Sequence, residues 1–206
     1  MKLFCVRHGE TLFNFAGRIQ GQLDSQLSPL GRRQCQAVAE ALGALAIDAV
    51  ISSPLSRARE SAQAIADQLK LSVEIEPRLM EINAGVFQGL SWDDIDQQFP
   101  AEAVRWRSQD PDYRIPAGES RRDLMARARE AFCAIRESGY RQAIVVAHGG
   151  SLSAAFKALL EIPATRNPFT LGNGSISTVV WEKDFKLLTL NETGHLRDAR
   201  SGGGDL

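Results

Sequence analysis

Two short apolar runs of this chain stop at the same kind of corner. Residues 3–6 run into Arg7-His8-Gly9, and residues 143–147 run into His148-Gly149-Gly150. Runs of this length without polar alternation read as strands buried on both faces, the pattern of a parallel sheet covered by helices. Such a strand has no room for charge in its middle. Arg7, His8 and His148 therefore belong at the carboxyl ends of their strands, the edge where open α/β sheets hold ligands. Gly9 leaves the backbone free to turn there and lets a ligand come close.

The intervening chain fits such a sheet. Residues 49–52 and 72–75 are further strand candidates, and Ser28-Pro29 and Ser53-Pro54 each carry the serine N-cap and first-turn proline of a helix. Apolar spacing predicts helices near residues 29–45 and 54–69. Ser120 with Asp123 signals a helix running to about Glu137. A helix near 151–160 follows, then a hairpin from 176–181 and 186–190. Strand and helix in alternation predict one α/β domain of three layers, α/β/α, around a mostly parallel central sheet. Its expected span is residues 1–196, with the glycine-rich 197–206 expected as a disordered tail. Two stretches interrupt the alternation. Residues 9–27 form a loop long enough to suggest a function. Residues 82–118, punctuated by glycine and proline, read as a small helical and loop excursion that covers the site as a lid. Its Phe87, Trp92, Phe99 and Trp106 either line a substrate pocket or, the preferred reading, pack as a small core.

Composition narrows the class. With 44% hydrophobic and 24% charged residues in 206, the chain is an ordinary globular one. A net charge of −1 excludes a generally basic nucleic-acid binder but not a local basic pocket. No apolar run approaches the roughly 20 residues that span a bilayer, and no signal pattern precedes the first strand. Neither nucleic acid nor membrane is expected as a partner; a homodimer stays open. Cys5, Cys35 and Cys133 are odd in number and scattered, which suits reduced thiols in a cytoplasm. Cys5 reads as core packing; a catalytic thiol would need an accessible electropositive site.

In parallel strands the two histidine corners lie on one edge, so His8 and His148 converge. Either alone reads as a satisfied hydrogen-bonding histidine; the matched pair reads as a site. Arg57 falls in the first turn of the helix after the second strand, where a cation opposes the macrodipole. A local rule broken without visible gain points to function. Arg59 reads as a solvated face. Arg7, His8, Arg57 and His148 would surround a small anion with donors, and the helix N-termini after Ser53 and Gly149 add backbone N–H groups. Phosphate fits best, because guanidinium forks match its oxygens. A zinc site does not fit: the arginines repel a cation and no ligand spacing is present.

Arg7-His8-Gly9-Glu10-Thr11 with Asn14 resembles the signature of the histidine phosphatase (phosphoglycerate mutase-like) superfamily. The resemblance runs on through Gly21, the 27–31 turn, the 52–58 segment, Glu81 ahead of Gly85 and Gly89, the 116–120 segment and 147–150, in the family's order over nearly the whole chain. It implies two-step phosphoryl transfer through a phosphohistidine on His8. Arg7, Arg57 and His148 would hold the phosphoryl oxygens. Asn14 would add a neutral hydrogen bond, unless it is only a turn residue. Glu81 matches the family's acid/base; in its apolar setting an idle carboxylate would be costly, and partial burial would raise its pKa. Glu10 is the nearer carboxylate in sequence but equally suits pairing with an arginine. Gln20, Gly21 and Gly149 match substrate-contacting positions.

The superfamily holds mutases and phosphatases. The mutases resembling this chain carry arginine directly after the catalytic glutamate, where Ile82 stands here, and a longer basic insertion. Arg105, Arg107 and Arg114 of the excursion do not match that spacing. The expectation is therefore a cofactor-independent phosphomonoesterase acting on a small phosphorylated metabolite. A mutase is the alternative, and a phosphate-binding module without catalysis, which would not need both His8 and Glu81, is the remaining one. His195 reads as a surface histidine, or as part of a tail folded back to shape the site.

Overall fold

The two runs that end in histidine are hydrogen-bonded neighbours. In the computed structural model, which describes residues 1–197 and Ala199, they are β1 (Lys2–Arg7) and β4 (Gln142–Ala147), paired in parallel. Between them lie α1 (Leu12–Phe15), α2 (Pro29–Leu42), β2 (Ala49–Ser52), α3 (Ser56–Leu69), β3 (Val73–Ile75), α4 (Trp92–Gln98), α5 (Pro100–Arg107) and α6 (Arg121–Glu137). After β4 come α7 (Gly149–Leu159), β5 (Ile176–Trp181) and β6 (Phe185–Glu192).

The sheet has six strands in the order β3-β2-β4-β1-β5-β6. The first four are parallel, and the β5–β6 hairpin joins β1 antiparallel. Register pairs Arg7 with Ala147, so the next residues, His8 and His148, leave the sheet at the same level. Strand alternation then separates two cores. Leu3, Cys5, Ala143 and Val145 face α6 and α7, around Phe132 and Phe156, whose rings meet edge-on at 6.3 Å. Phe4, Val6, Ile144 and Val146 face α2 and α3. Both faces are covered, which gives the expected three layers. Burying each large apolar side chain here contributes about 2 kcal/mol.

Local starts and stops differ from the sequence reading in informative ways. α6 opens at Ser120 with the expected capping box. α2 stops at Leu42, short of Leu45. α3 starts at Ser56, two residues later than Pro54, with Leu55 at the N-cap and no side-chain cap. The Ser53 hydroxyl is engaged at the sheet edge with His148 instead, as described below. The 9–27 segment is not structureless: α1 sits in it, held by a Thr11–Asn14 capping box. Gly9 has a different reason to be glycine from the one expected. A Cβ there would lie 2.5 Å from the Gly31 carbonyl and 2.8 Å from Cys35 Sγ, so it lets α2, not a ligand, approach β1.

The excursion contains α4 and α5 and packs its own cluster. Ala84, Phe87, Ile95, Ala103, Tyr113 and Ile115 are buried, with Phe99 and Trp106 partly buried against them. Packing is thus the role of Phe87 and Phe99. Ala199 is buried and its carbonyl accepts from Arg33 Nε, while the other residues expected in a disordered tail beyond Arg197 lie outside the described residues. No described helix is long and apolar enough to cross a membrane, and no described cluster of His, Cys, Asp and Glu could hold a metal.

Candidate active site

The parallel register delivers both histidines into one pocket, with ring centroids 5.1 Å apart. His8 Nδ1 lies 2.7 Å from the Gly9 carbonyl. A carbonyl only accepts, so Nδ1 carries the proton. His8 is 2% exposed, and burial, then the charges of Arg57 and Arg7, hold its pKa well below 6.5. A neutral ring protonated at Nδ1 keeps a lone pair on Nε2. Arg57 Nε donates to that atom at 3.3 Å.

Arg57 is 1% exposed, an unusual setting for a guanidinium. Its Nη2 donates to the Gly21 carbonyl at 2.7 Å and its Nη1 to the Leu23 carbonyl at 2.9 Å. Gly21 has a φ of +54°, which turns its carbonyl to this work at little steric cost. Arg7 donates through Nη1 to the Leu171 carbonyl, and its buried Nε has no partner. Gly149, the first residue of α7, packs beside the Arg7 guanidinium; a Cβ there would be 3.5 Å from Nε. His148 is fully buried, and burial, then His8 and three arginines, keep it neutral. Its Nε2 lies 2.8 Å from Ser53 Oγ, while Nδ1 is buried without a partner. Ser53 Oγ also accepts from the Leu55 N–H at 3.3 Å.

Asn14 joins the edge through a shared acceptor. Its Oδ1 takes bonds from Thr11 N–H at 3.2 Å, Thr11 Oγ1 at 3.1 Å and Asn173 Nδ2 at 3.1 Å, so its amide nitrogen is turned the other way. Gln20 is buried with Oε1 unpartnered. The pocket therefore keeps polar atoms that the fold leaves unspent, Arg7 Nε as a donor and Gln20 Oε1 as an acceptor among them.

Glu81 is half-buried, but not stranded among apolar groups as its sequence neighbours suggest. Oε1 accepts from the Ile82 N–H and Oε2 from the Gly150 N–H, both at 2.8 Å. Its charge acts on both Arg7 and Arg57. Glu10, the other carboxylate at this edge, accepts at 2.6 Å from Ser28, the N-cap of α2, and pairs with no arginine among the described residues. The three histidines divide: His195 Nε2 meets the Gly174 carbonyl at 2.9 Å, and Gly174 N–H in turn donates to the Arg7 and His8 carbonyls. His195 thus braces the backbone behind the site rather than standing on a plain surface.

Several supporting residues escape sequence reasoning. Arg127 of α6 donates to the carbonyls of Arg78, Met80 and Glu81 and pairs with Glu119, which accepts from the Asn83 N–H at 2.8 Å. Gln22 Nε2 donates to the Glu81 carbonyl at 3.0 Å. The Ser61 hydroxyl accepts from the Gly9 N–H at 3.1 Å. None of these carries a local sequence signal; Ser53 does, but the signal is that of a helix cap. Arg105 lies over the Tyr113 ring, Arg107 pairs with Asp96, and Arg114 pairs with Asp123. A cavity of about 360 Å³ adjoins the site, lined by Gly149, Gly150, Leu171 and Trp106 among others.

A parallel-edged α/β sheet carrying two neutral histidines, a buried and a partly buried arginine and a carboxylate at one strand edge defines an enzyme class that handles phosphoryl groups. The chain belongs to the histidine phosphatase superfamily: the model of its branch 1 matches residues 3–193. Among its relatives is the glucosyl-3-phosphoglycerate phosphatase of Mycobacterium tuberculosis, 36% identical over 185 residues, 85% of this chain and 82% of that protein. A protein of Erwinia tasmaniensis named as a probable phosphoglycerate mutase is 36% identical, over 96% of each chain. Among solved structures, a mycobacterial glucosyl-3-phosphoglycerate phosphatase in complex with VO3 superposes with a TM-score of 0.85 at 35% identity, covering 93% of this chain and 99% of that one. The α-ribazole phosphatase of Shigella flexneri gives 0.86 at 28% identity, covering 93% and 96%.

Proposed function

We propose that this histidine phosphatase hydrolyses small phosphorylated metabolites in two steps, through a phosphohistidine on His8 and without a cofactor. The observation that carries this reading is the Nδ1–H tautomer of a neutral His8, which leaves Nε2 with a lone pair in a ring of cationic donors. In the first step Nε2 bonds to phosphorus as the bond to the alcohol oxygen breaks, and Glu81 gives that oxygen its proton. In the second, Glu81 takes a proton from water, whose oxygen bonds to phosphorus as the N–P bond breaks. His8 returns neutral and inorganic phosphate leaves. Arg7, Arg57, the His148 ring and the Asn14 amide hold the phosphoryl oxygens, with the α7 N-terminus at Gly149; Gln20 and Gly21 line the substrate side. Three free cysteines suit a reducing cytoplasm.

A mutase reading draws on the Erwinia relative. Against it, the excursion's three arginines are engaged elsewhere, and a mutase must retain a bisphosphorylated intermediate long enough to reorient it. Hydrolysis of p-nitrophenyl phosphate tests the proposal: wild type turns over and forms an acid-labile phosphoprotein, and His8→Ala does neither. Equal rates sink it. Conversion of 3-phosphoglycerate to its 2-isomer, dependent on 2,3-bisphosphoglycerate, would instead establish the mutase.

A further inference from the structure

The cavity beside the site is lined by two cations that form no ion pair among the described residues. Arg121 opens α6 at the first helical position, where the macrodipole makes a cation unwelcome. Its guanidinium lies 3.4 Å from the centre of the Trp106 ring, and Nη2 donates to the Trp106 carbonyl at 2.8 Å. Nη1 is buried with no partner. Lys157 of α7 is 4% exposed, and among the described residues its ammonium has no hydrogen bond or ion pair. Burial pushes Arg121 down to about 10, against the pull of Asp110, and lowers Lys157 as well, with the Arg121 charge adding to the effect. Two like charges drawn partly out of water without an ion pair carry a cost, which the Trp106 ring and carbonyl offset only for Arg121.

Their cavity is placed to receive the alcohol portion of a substrate. Both cations line it together with Gly150, whose N–H holds Glu81, and Leu171, whose carbonyl holds Arg7. A leaving group protonated by Glu81 enters this space. Ser153 donates to Asn167 Oδ1 at 2.9 Å and fixes that amide in the cavity wall.

We propose that Arg121 and Lys157 form a subsite for a carboxylate on the leaving alcohol, so that the preferred substrate is the phosphomonoester of a hydroxy acid. The assignment rests on the phosphatase reading of the neighbouring site and adds the substrate class to it. A carboxylate fits better than a second phosphate. Half of the Arg121 fork is spent on the Trp106 carbonyl, so one oxygen takes Nη1 and the other takes the ammonium, without a bidentate clamp.

The matched pair 3-phosphoglycerate and glycerol 3-phosphate, which differ only in carboxylate against hydroxymethyl, reads the subsite directly. Wild type is expected to favour the carboxylate by about tenfold or more in kcat/KM, the scale of a hydrogen bond to a charged group. Lys157→Met and Arg121→Gln should each cut that ratio by about tenfold, mainly through KM for the carboxylate substrate. A wild-type ratio near one overturns the subsite by itself, even where a variant fails to fold. A ratio kept in both folded variants overturns it too. Preference for 2,3-bisphosphoglycerate over 3-phosphoglycerate would assign the cations to a phosphate instead and reject the carboxylate. If wild type hydrolyses none of these esters nor p-nitrophenyl phosphate, the phosphatase reading fails; if it hydrolyses all without preference, only the subsite does.

Discussion

Arg57 Nε donates to His8 Nε2 across 3.3 Å, resting a guanidinium on the one ring nitrogen that the Gly9 carbonyl leaves without a proton. The pairing does two things before any substrate arrives. It disfavours a second proton on the ring, and it holds a charged donor where the proposed mechanism brings the phosphoryl oxygens. The other two nitrogens of Arg57 hold the Gly21 and Leu23 carbonyls, so the same side chain ties the 9–27 segment to α3.

Arg57→Lys should therefore damage activity and stability together. An ammonium cannot serve three directions as the fork does. Loss of a preorganised donor to developing charge lowers kcat/KM by about 10²–10³. The buried Gly21 carbonyl left unpaired costs about 1–3 kcal/mol, read as a lower melting temperature. In wild type, burial brings Arg57 down to about 10, so kcat/KM should decline as the pH passes that value. Activity within threefold of wild type would remove Arg57 from the transition state.

Gly150→Ala separates the acid from the fold. Alanine favours the helix by about 1 kcal/mol over glycine, so α7 should not suffer. The new Cβ, however, would stand 2.2 Å from Glu81 Oε1, and the carboxylate has to leave its two amide donors. The expected result is a melting temperature near wild type with a large fall in kcat on alkyl phosphates. Aryl phosphates, whose leaving groups need little proton assistance, should lose much less. A uniform loss on both ester types would argue against Glu81 as the leaving-group acid.

Arg127 braces the backbone of Glu81, the proposed acid, from behind. It reaches three carbonyls of the 78–81 segment and is oriented by Glu119. Arg127→Met removes these bonds while keeping much of the stem's bulk. Kinetics on the two ester classes are the measurement: kcat for alkyl esters should fall by at least about tenfold while KM changes little, with part of the loss recovered in Arg127→Lys. A change confined to KM, or none, would reduce Arg127 to a surface brace.

How much of this was legible in the sequence depends on the range over which each residue acts. The histidine corners were legible because burial on both faces forces charge to strand ends, and a parallel register then aligns the ends. The α6 start was legible because a capping box is complete within four residues, Ser120 to Asp123. Ser53 carries a different local signal, the serine-proline pair of a helix start, but its hydroxyl goes to a histidine 95 residues away. Arg127 had no signal at all. On a helix bearing Arg121, Arg122, Arg127 and Arg129 it looks like any solvated cation, and its carbonyl partners lie 46 to 49 residues upstream. Gly9 shows the opposite case, a motif residue whose place was found but whose cause, the approach of α2, was not.

The buried histidines also set how the fold responds to acid. His8 and His148 are both held well below 6.5 in the native state, by burial first and neighbouring positive charge second. Below about pH 6.5 the unfolded chain binds protons that the native chain refuses, so stability falls as the pH falls. Each histidine contributes a slope of up to about 1.4 kcal/mol per pH unit. Carboxylates held down by their neighbours, such as Asp123 on Ser120, enter only near and below pH 4. Urea unfolding between about pH 6.5 and 5 should accordingly show close to a two-proton dependence, and His148→Asn should halve it. An unchanged slope in that variant would mean that His148 accepts its proton without unfolding, and the neutral pocket on which the His8 lone pair depends would not hold in acid.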